Sequence, residues 1–251
     1  MISAVLIVKN EAENLPACFV ALQKVVNEII VVDHESEDNT KKIALEYGAK
    51  VYGRKWEGYA AGKNFGNQQA TNDWILSIDA DEILTPELIN TIQKLKLTNN
   101  EEVYAFDRAN YFGDTWVKHC GWYPDWKVRL FHKEIACWEG DYVHEQLRFS
   151  EKVDRVRLSG KLRHNSYKTD QDHFDRIERY ARLGAEQLVN KGKTPSWLKE
   201  KLSPGFRFFR TYILKKGFLD GKLGWQISKR NAHMIRRKFE LYHQLKKSIQ
   251  G

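Results

Sequence analysis

Apolar and polar positions along the first hundred residues fall into alternating blocks with strand-like and helix-like periods. Residues 3–8 are an unbroken apolar run, the mark of a parallel strand buried on both faces. Leu15, Phe19, Leu22 and Val26 then recur at helical spacing behind Asn14, a residue suited to capping. Residues 28–32 make a second buried strand that ends at Asp33. After a polar loop, residues 40–47 read as a helix stopped by Gly48. Residues 49–52 read as a short third strand, 62–70 as a helix and 74–78 as a fourth apolar strand. Thr85-Pro86-Glu87 opens a further helix, with Thr as cap and Pro in the first position.

This βαβα order predicts a parallel sheet with helices on both faces. Ligands in such sheets lie beyond the carboxyl ends of the strands, and Asp33 and Asp79 both fall there. From residue 103 the pattern changes to short strands (103–107, 127–132, 155–162) separated by aromatic-rich loops such as Cys120-Gly-Trp-Tyr-Pro-Asp-Trp126. A long helix is expected over 170–192, and 206–251 is helical, basic and aromatic. The expected organisation is an α/β half over 1–100, a mixed-sheet half over 101–168 of the same domain, and a helical tail over 169–251.

Composition sharpens this picture in three ways. At 42% hydrophobic and 29% charged residues, a folded core is expected rather than disorder. The net charge of +8 is concentrated in residues 205–251, where twelve Lys/Arg face only Asp220 and Glu240, so the body carries a slight negative charge. A basic tail suits a polyanionic partner. The three cysteines, Cys18, Cys120 and Cys137, are odd in number and show no metal-ligand spacing, which reads as reduced thiols in a cytoplasmic setting. Residues 1–8 read as a buried strand rather than a leader, and no apolar run approaches the ~20 residues needed to span a bilayer.

Candidate chemistry centres on Ile78-Asp79-Ala80-Asp81-Glu82, at the end of the fourth strand. Three carboxylates in four positions repel one another unless they share a cation. Hard oxygen ligands of this kind suit Mg²⁺ or Mn²⁺ carrying a diphosphate. An acidic turn before a helix is the plainer alternative; the place after a buried strand, downstream of a second strand ending in Asp33, favours the metal. Asp33 is placed to accept a hydrogen bond from a nucleobase or ribose, and Asp38 to cap the following helix. His164 follows a strand and reads equally as a metal or phosphate ligand or as a structural histidine. Trp122, Tyr123 and Trp126 suit either stacking on sugar rings or core packing. His144-Glu145 lacks the second histidine of a zinc-protease helix, since Arg148 stands there. No dinucleotide fingerprint occurs, and Gly58-Tyr-Ala-Ala-Gly62-Lys63-Asn64 is one residue short of a phosphate loop.

These motifs together carry a resemblance. An N-terminal strand leading into Lys9-Asn10-Glu11, then Val32-Asp33-x-x-Ser36-x-Asp38-x-Thr40, then Gly62-Lys63-Asn64, then Asp79-Ala80-Asp81-Glu82 resembles glycosyltransferase family 2 over residues 1–90. Trp138-Glu-Gly-Asp-Tyr-Val-His144-Glu145, His164-Asn-Ser-Tyr167 and Lys216-Gly-Phe-Leu-Asp-Gly221 resemble the subgroup containing lipopolysaccharide-core β-1,4-glucosyltransferases. The resemblance implies a GT-A fold, meaning a Rossmann-like nucleotide-binding sheet with a mixed-sheet acceptor half, here followed by the helical tail. It also implies inverting, single-displacement transfer from a nucleotide-sugar donor, with a divalent metal. It places Asn10, Glu11, Asp33, Lys63 and Asp79 at the donor, Asp81 on the metal with His164 as its candidate partner, and Glu145 as general base. His34-Glu35 departs from the Asp-Gly common in the family.

The chemistry agrees with these roles on independent grounds. Sugar transfer builds positive charge at the anomeric carbon and negative charge on the departing diphosphate, which a metal stabilises. The acceptor hydroxyl needs a base, and Glu145 lies in an aromatic stretch that suits a carboxylate for the task, although the residues alone fit a surface glutamate equally. The expected acceptor is a lipopolysaccharide-core or lipid-linked glycan. The tail, residues 206–247, mixes Phe and Tyr with Arg and Lys at helical spacing, the look of an interfacial helix on an anionic membrane. The expected location is therefore the cytoplasm, peripheral on the inner face of the membrane. A sugar-nucleotide-forming nucleotidyltransferase is the alternative, weakened by the absence of glycine in Lys9-Asn10-Glu11-Ala12-Glu13-Asn14. A nucleic-acid binder is a weaker one, since it leaves the acidic cluster without a role, and no specific nucleic acid is expected as a partner.

Overall fold

The structure, a computed structural model, describes residues 1–140 and 145–250. By packing, the chain divides into two compact units, Met1–Ala109 with Asp125–His164, and Asn110–Pro124 with Asn165–Gly251.

In chain order the first elements are β1 (Ile2–Val8), α1 (Leu15–Leu22), β2 (Glu28–Asp33), α2 (Thr40–Glu46), β3 (Lys50–Gly53), α3 (Tyr59–Gln69), β4 (Trp74–Ser77), β5 (Glu82–Leu84) and α4 (Pro86–Gln93). Then come β6 (Glu102–Phe112), β7 (Thr115–Trp116), β8 (Trp126–His132), β9 (Ala136–Glu139), β10 (Gln146–Phe149) and β11 (Asp154–Tyr167). The main sheet has the order β3-β2-β1-β4-β8-β6-β11-β5, with β7 on β6. Its β3-β2-β1-β4 part is parallel, while β8 runs antiparallel to both β4 and β6. β9 and β10 form a separate antiparallel pair. This is the α/β arrangement expected, a parallel half continued by a mixed sheet.

The central strands are buried on both faces because helices cover both, and their period of two sorts the side chains. Ile2, Ala4, Leu6 and Val8 of β1 join Leu15, Phe19 and Leu22 of α1 and Leu88, Ile89 and Ile92 of α4 in one core. Val5 joins Ile30, Ile75 and Ala60 in the other, beneath α3. Gly66 makes that second contact close, since a Cβ there would lie 2.4 Å from Val5 Cγ1. Thr85 caps α4 as expected, its hydroxyl accepting from Leu88 N–H at 3.5 Å. Asn14 does not cap α1 through its side chain; its amide instead donates to Glu11 Oε2 at 2.6 Å.

In the second unit α5 (Asp170–Asn190) starts with a capping box between Thr169 and Asp172 and gives way to Gly192 at φ +61°. α6 (Trp197–Phe209), a π turn (Arg210–Leu214), a 3₁₀ turn (Gly217–Asp220) and α7 (Gly221–Gln250) follow. α7 packs on α5 through Ala181, Ala185, Leu241 and Tyr242.

Gly160 of β11 holds φ +96°, and a Cβ there would lie 2.3 Å from the backbone nitrogen of Leu88. Gly160→Ala therefore adds backbone strain to a clash that no rotamer relieves, and a loss of about 3 kcal/mol is expected. Urea unfolding with an unchanged slope checks it.

Candidate active site

The carboxyl ends of β1, β2 and β4 gather the polar residues. Loops 9–14 and 33–40 are tied together there: Asn10 N–H donates to Ser36 Oγ at 2.9 Å, Glu37 N–H to Asn10 Oδ1 at 2.8 Å, Glu11 N–H to Thr40 Oγ1 at 2.7 Å and Ala12 N–H to Asp38 Oδ2 at 3.2 Å. The Asn10 and Asp38 side chains thus build the loops. Asn39, not Asp38, takes the N-cap position of α2, with no side-chain bond, while Asp38 Oδ1 accepts from Thr40 N–H at 2.9 Å. Glu35 turns the second loop at φ +56°, a left-handed conformation that costs a residue with a Cβ roughly 1–2 kcal/mol. That is the physical consequence of His34-Glu35 standing where the family commonly has Asp-Gly.

Asp33 is buried; its Oδ2 accepts from Ser36 N–H at 3.3 Å, and its Oδ1 has no hydrogen-bond partner among the described residues. A buried carboxylate oxygen without a donor asks for one from a ligand. His34 holds its Nδ1 3.0 Å from the Arg54 carbonyl. Beside it is a pocket of about 410 Å³ lined by Ile7, Val8, Lys9, Glu11, His34, Trp56 and Tyr59. Trp56 stands edge-on to both His34 and Tyr59, at centroid distances of 4.9 and 4.7 Å. Trp56 and Tyr59 were missed by the sequence reading, which had only their aromatic character in a polar segment to go by.

One strand over, at the end of β4, the acidic cluster is resolved by arginines. Glu82 is fully buried; its Oε2 accepts from Asp79 N–H at 3.1 Å, and its Oε1 meets Arg129 and, at 3.2 Å, Arg108. The buried Arg129 guanidinium also reaches Asp79 Oδ2 at 2.7 Å. Burial alone would raise the Asp79 pKa, but Arg129, then Lys63, Arg108 and His164, outweigh it and hold the carboxyl well below the usual range. The same cluster acts on Cys18, whose thiol is pushed up by burial and then by Glu82, Asp81 and Asp79. Arg129 and Arg108 had no motif to announce them in the sequence.

Lys63 joins the cluster to Glu145. Its ammonium, on a residue only 4% exposed, lies 3.7 Å from Asp79 Oδ1, 3.3 Å from Glu145 Oε1 and 4.3 Å over the Trp138 ring. Asn64, the next residue, clamps Trp138 by donating to its carbonyl at 2.8 Å and accepting from its N–H at 2.9 Å. The α3 segment therefore positions both the lysine and the strand that leads toward Glu145. Residues 141–144, within the Trp138–Glu145 motif, lie outside the described residues.

Asp81 pairs with His164, its Oδ2 lying 3.2 Å from Nε2. Among the described residues no group of three or more His, Cys, Asp or Glu side chains could enclose a metal by itself. One carboxylate and one imidazole side by side nevertheless fit a hard divalent cation whose remaining ligands come from a diphosphate and water. Trp126 carries Arg157 at 4.9 Å over its ring. In the second unit Trp122 packs with Val117, Cys120 and Ile227, and Tyr123 stands edge-on to Trp116 at 5.3 Å.

Comparison with known proteins gives the family. The Glycosyl transferase family 2 profile matches residues 3–149, and the chain belongs to that family. It is 30% identical over 232 residues to the uncharacterized glycosyltransferase RT0209 of Rickettsia typhi, covering 88% of this chain and 79% of the relative. It is 28% identical over 224 residues to the lipopolysaccharide core biosynthesis glycosyltransferase LpsC of Rhizobium meliloti, covering 84% and 80%. Among solved structures, glucosyl-3-phosphoglycerate synthase from Mycobacterium tuberculosis, crystallised with Mn²⁺ and uridine diphosphate, is similar at a TM-score of 0.47 and 16% identity, covering 78% of this chain and 81% of that one.

Removing the guanidinium leaves the fully buried Glu82 with Arg108 as its remaining arginine and takes the arginine from Asp79, so Arg129→Met is expected to destabilise the fold by about 3 kcal/mol in chemical denaturation. A depressed folded-state pKa makes the Asp79 contribution complete above its unfolded value of about 3.9 and lost as pH falls below it. The stability gap between wild type and Asp79→Asn should accordingly narrow as the pH of the melt is lowered from about 5 to about 2.

Proposed function

We propose that this glycosyltransferase moves a hexose, glucose in the first instance, from a UDP-sugar to a lipopolysaccharide-core or related cell-envelope glycan, with inversion at the anomeric carbon. The observation that carries the reading is the Lys63 bridge. One buried ammonium joins Asp79, at the end of the donor-side sheet, to Glu145, the candidate base. The pocket beside His34, Trp56 and Tyr59 and the unpaired Asp33 oxygen supply an aromatic and an acceptor for the nucleoside. The acceptor class draws support from the similarity to LpsC, whose name gives lipopolysaccharide core biosynthesis.

In this scheme the acceptor hydroxyl attacks the anomeric carbon from the face opposite the diphosphate. The new carbon–oxygen bond forms as the bond to the diphosphate breaks, and the hydroxyl proton passes to Glu145. Lys63 holds the Glu145 carboxylate in place. Asp81 and His164 would hold Mg²⁺ or Mn²⁺, which when bound neutralises charge on the leaving diphosphate. Arg129 keeps Asp79 and Glu82 from repelling Asp81 out of position. The acceptor would be met at the inner face of an anionic membrane.

Two protein ligands do not make a metal site without the donor, so Mn²⁺ alone should shift the melting temperature little and Mn²⁺ with UDP should raise it. Asp81→Asn should abolish the joint effect. Glu145→Gln should keep the UDP–Mn²⁺ shift while lowering kcat about 10²–10⁴-fold. Free-nucleotide release across a panel of donor sugars, with and without EDTA, reads the turnover; absence of both shift and release with every nucleoside diphosphate would sink the proposal.

A further inference from the structure

α6 and the two turns after it wear their amphipathicity inside out. None of the thirteen residues of α6 is buried. The side that packs on α7 carries Glu200, Ser203, Pro204, Arg207 and Phe208, all half-buried. The outward side carries Trp197, Leu198, Leu202, Phe206 and Phe209, between 47% and 71% exposed. Leu198, Leu202, Phe206, Phe209 and Ile213 follow one another at steps of four, four, three and four, which is a single helical stripe. Leu214, Phe218, Leu219 and Trp225 extend it. Of the seventeen large apolar side chains exposed among the described residues, ten lie between 197 and 225. A helix in a water-soluble surface turns such a stripe inward; here the stripe stays exposed among the described residues.

The charges around the stripe are of one sign. Residues 197–222 contain seven Lys/Arg: Lys199, Lys201, Arg207, Arg210, Lys215, Lys216 and Lys222. The two acids of the same stretch are turned to other work. Glu200 accepts from His243 at 3.0 Å, and Asp220 accepts the N–H groups of Lys118 and His119 at 3.3 and 2.8 Å. The accumulated positive charge is felt by Lys238, whose pKa is lowered by burial and then by Lys199 and Arg207.

We propose that residues 197–225 form a docking surface for an anionic lipid bilayer, with the stripe Leu198–Leu202–Phe206–Phe209–Ile213 immersed in the plane of the interface and the flanking lysines and arginines on the headgroups. This deepens the membrane setting proposed above. It also relocates the surface toward the N-terminal side of residues 206–247, because the later part of α7 buries Phe239, Leu241 and Tyr242 in the fold. No helix among the described residues is long and apolar enough to cross a membrane, which fits attachment in the plane. A second copy of the chain is the poorer occupant, since it would set seven positive charges against seven. Nucleic acid offers phosphates but no apolar layer to receive Leu198, Leu202 and Ile213.

The test is co-sedimentation of the full chain with vesicles of phosphatidylglycerol and phosphatidylcholine, against vesicles of phosphatidylcholine alone. Binding should be at least about tenfold tighter to the anionic vesicles and weaken in high salt. Leu202→Glu combined with Phe206→Glu should abolish it with an unchanged melting temperature, as both side chains already face water. Lys201→Glu with Lys222→Glu should weaken it on the order of tenfold or more. The proposal is overturned if wild type stays in the supernatant, if both vesicle types bind equally and the double glutamate variant still binds, or if the stripe instead supports self-association or RNA retention. Turnover of a soluble glycan acceptor is measured alongside; it should survive the Leu202/Phe206 variant, and its loss in wild type would speak against the catalytic reading while leaving the vesicle result standing.

Discussion

A single buried guanidinium makes the acidic end of β4 possible. Arg129 comes from β8, one residue before Leu130, which pairs with Leu76 of β4. The antiparallel strand therefore delivers a positive charge beside Asp79 and Glu82. Two carboxylates this close, one of them fully buried, would otherwise impose a desolvation and repulsion cost of several kcal/mol. With the arginine present the cost is offset inside the protein, and the cluster does not need a metal to hold its shape.

That division assigns different work to neighbours in sequence. Glu82 faces the interior and serves structure, anchoring Arg129, Arg108 and the Asp79 amide. Asp79 faces Lys63, and Asp81 faces His164. The arginines pair with Glu82 and Asp79, which leaves Asp81 as the carboxylate with no guanidinium partner among the described residues. A cation joining Asp81 and His164 would still need oxygens from elsewhere, which in the proposed scheme are those of the donor's diphosphate. Metal and donor would then bind as a pair.

The second unit shows the same economy in reverse. Its core is small, built on alanines where α5 and α7 approach and on Val117, Cys120 and Ile227. The apolar side chains of α6 are not used to enlarge it. A helix that sets its half-buried side against α7 and its leucines in water leaves apolar area unburied. It gains more once an apolar phase covers it.

Periodicity was enough to read β1 to β4 and the helices among them, because buried parallel strands are continuous apolar runs; it missed the three-residue β5 and the first turn of α3. It also placed Asp33, Asp79 and Asp81 at strand ends, since that follows from counting along the chain. Glu145 and Lys63 were nameable one at a time from the family motifs, but their meeting across 82 positions was not. Arg129 was invisible, lying within an ordinary strand with no motif around it. The physical reason is that a strand pattern says which residues alternate, not which strand lies beside which or in what direction. Local order, burial and the strand-end acids were thus determined by the sequence alone. The pairing of β8 against β4, and with it the charge that holds the site together, was decided only when the chain folded.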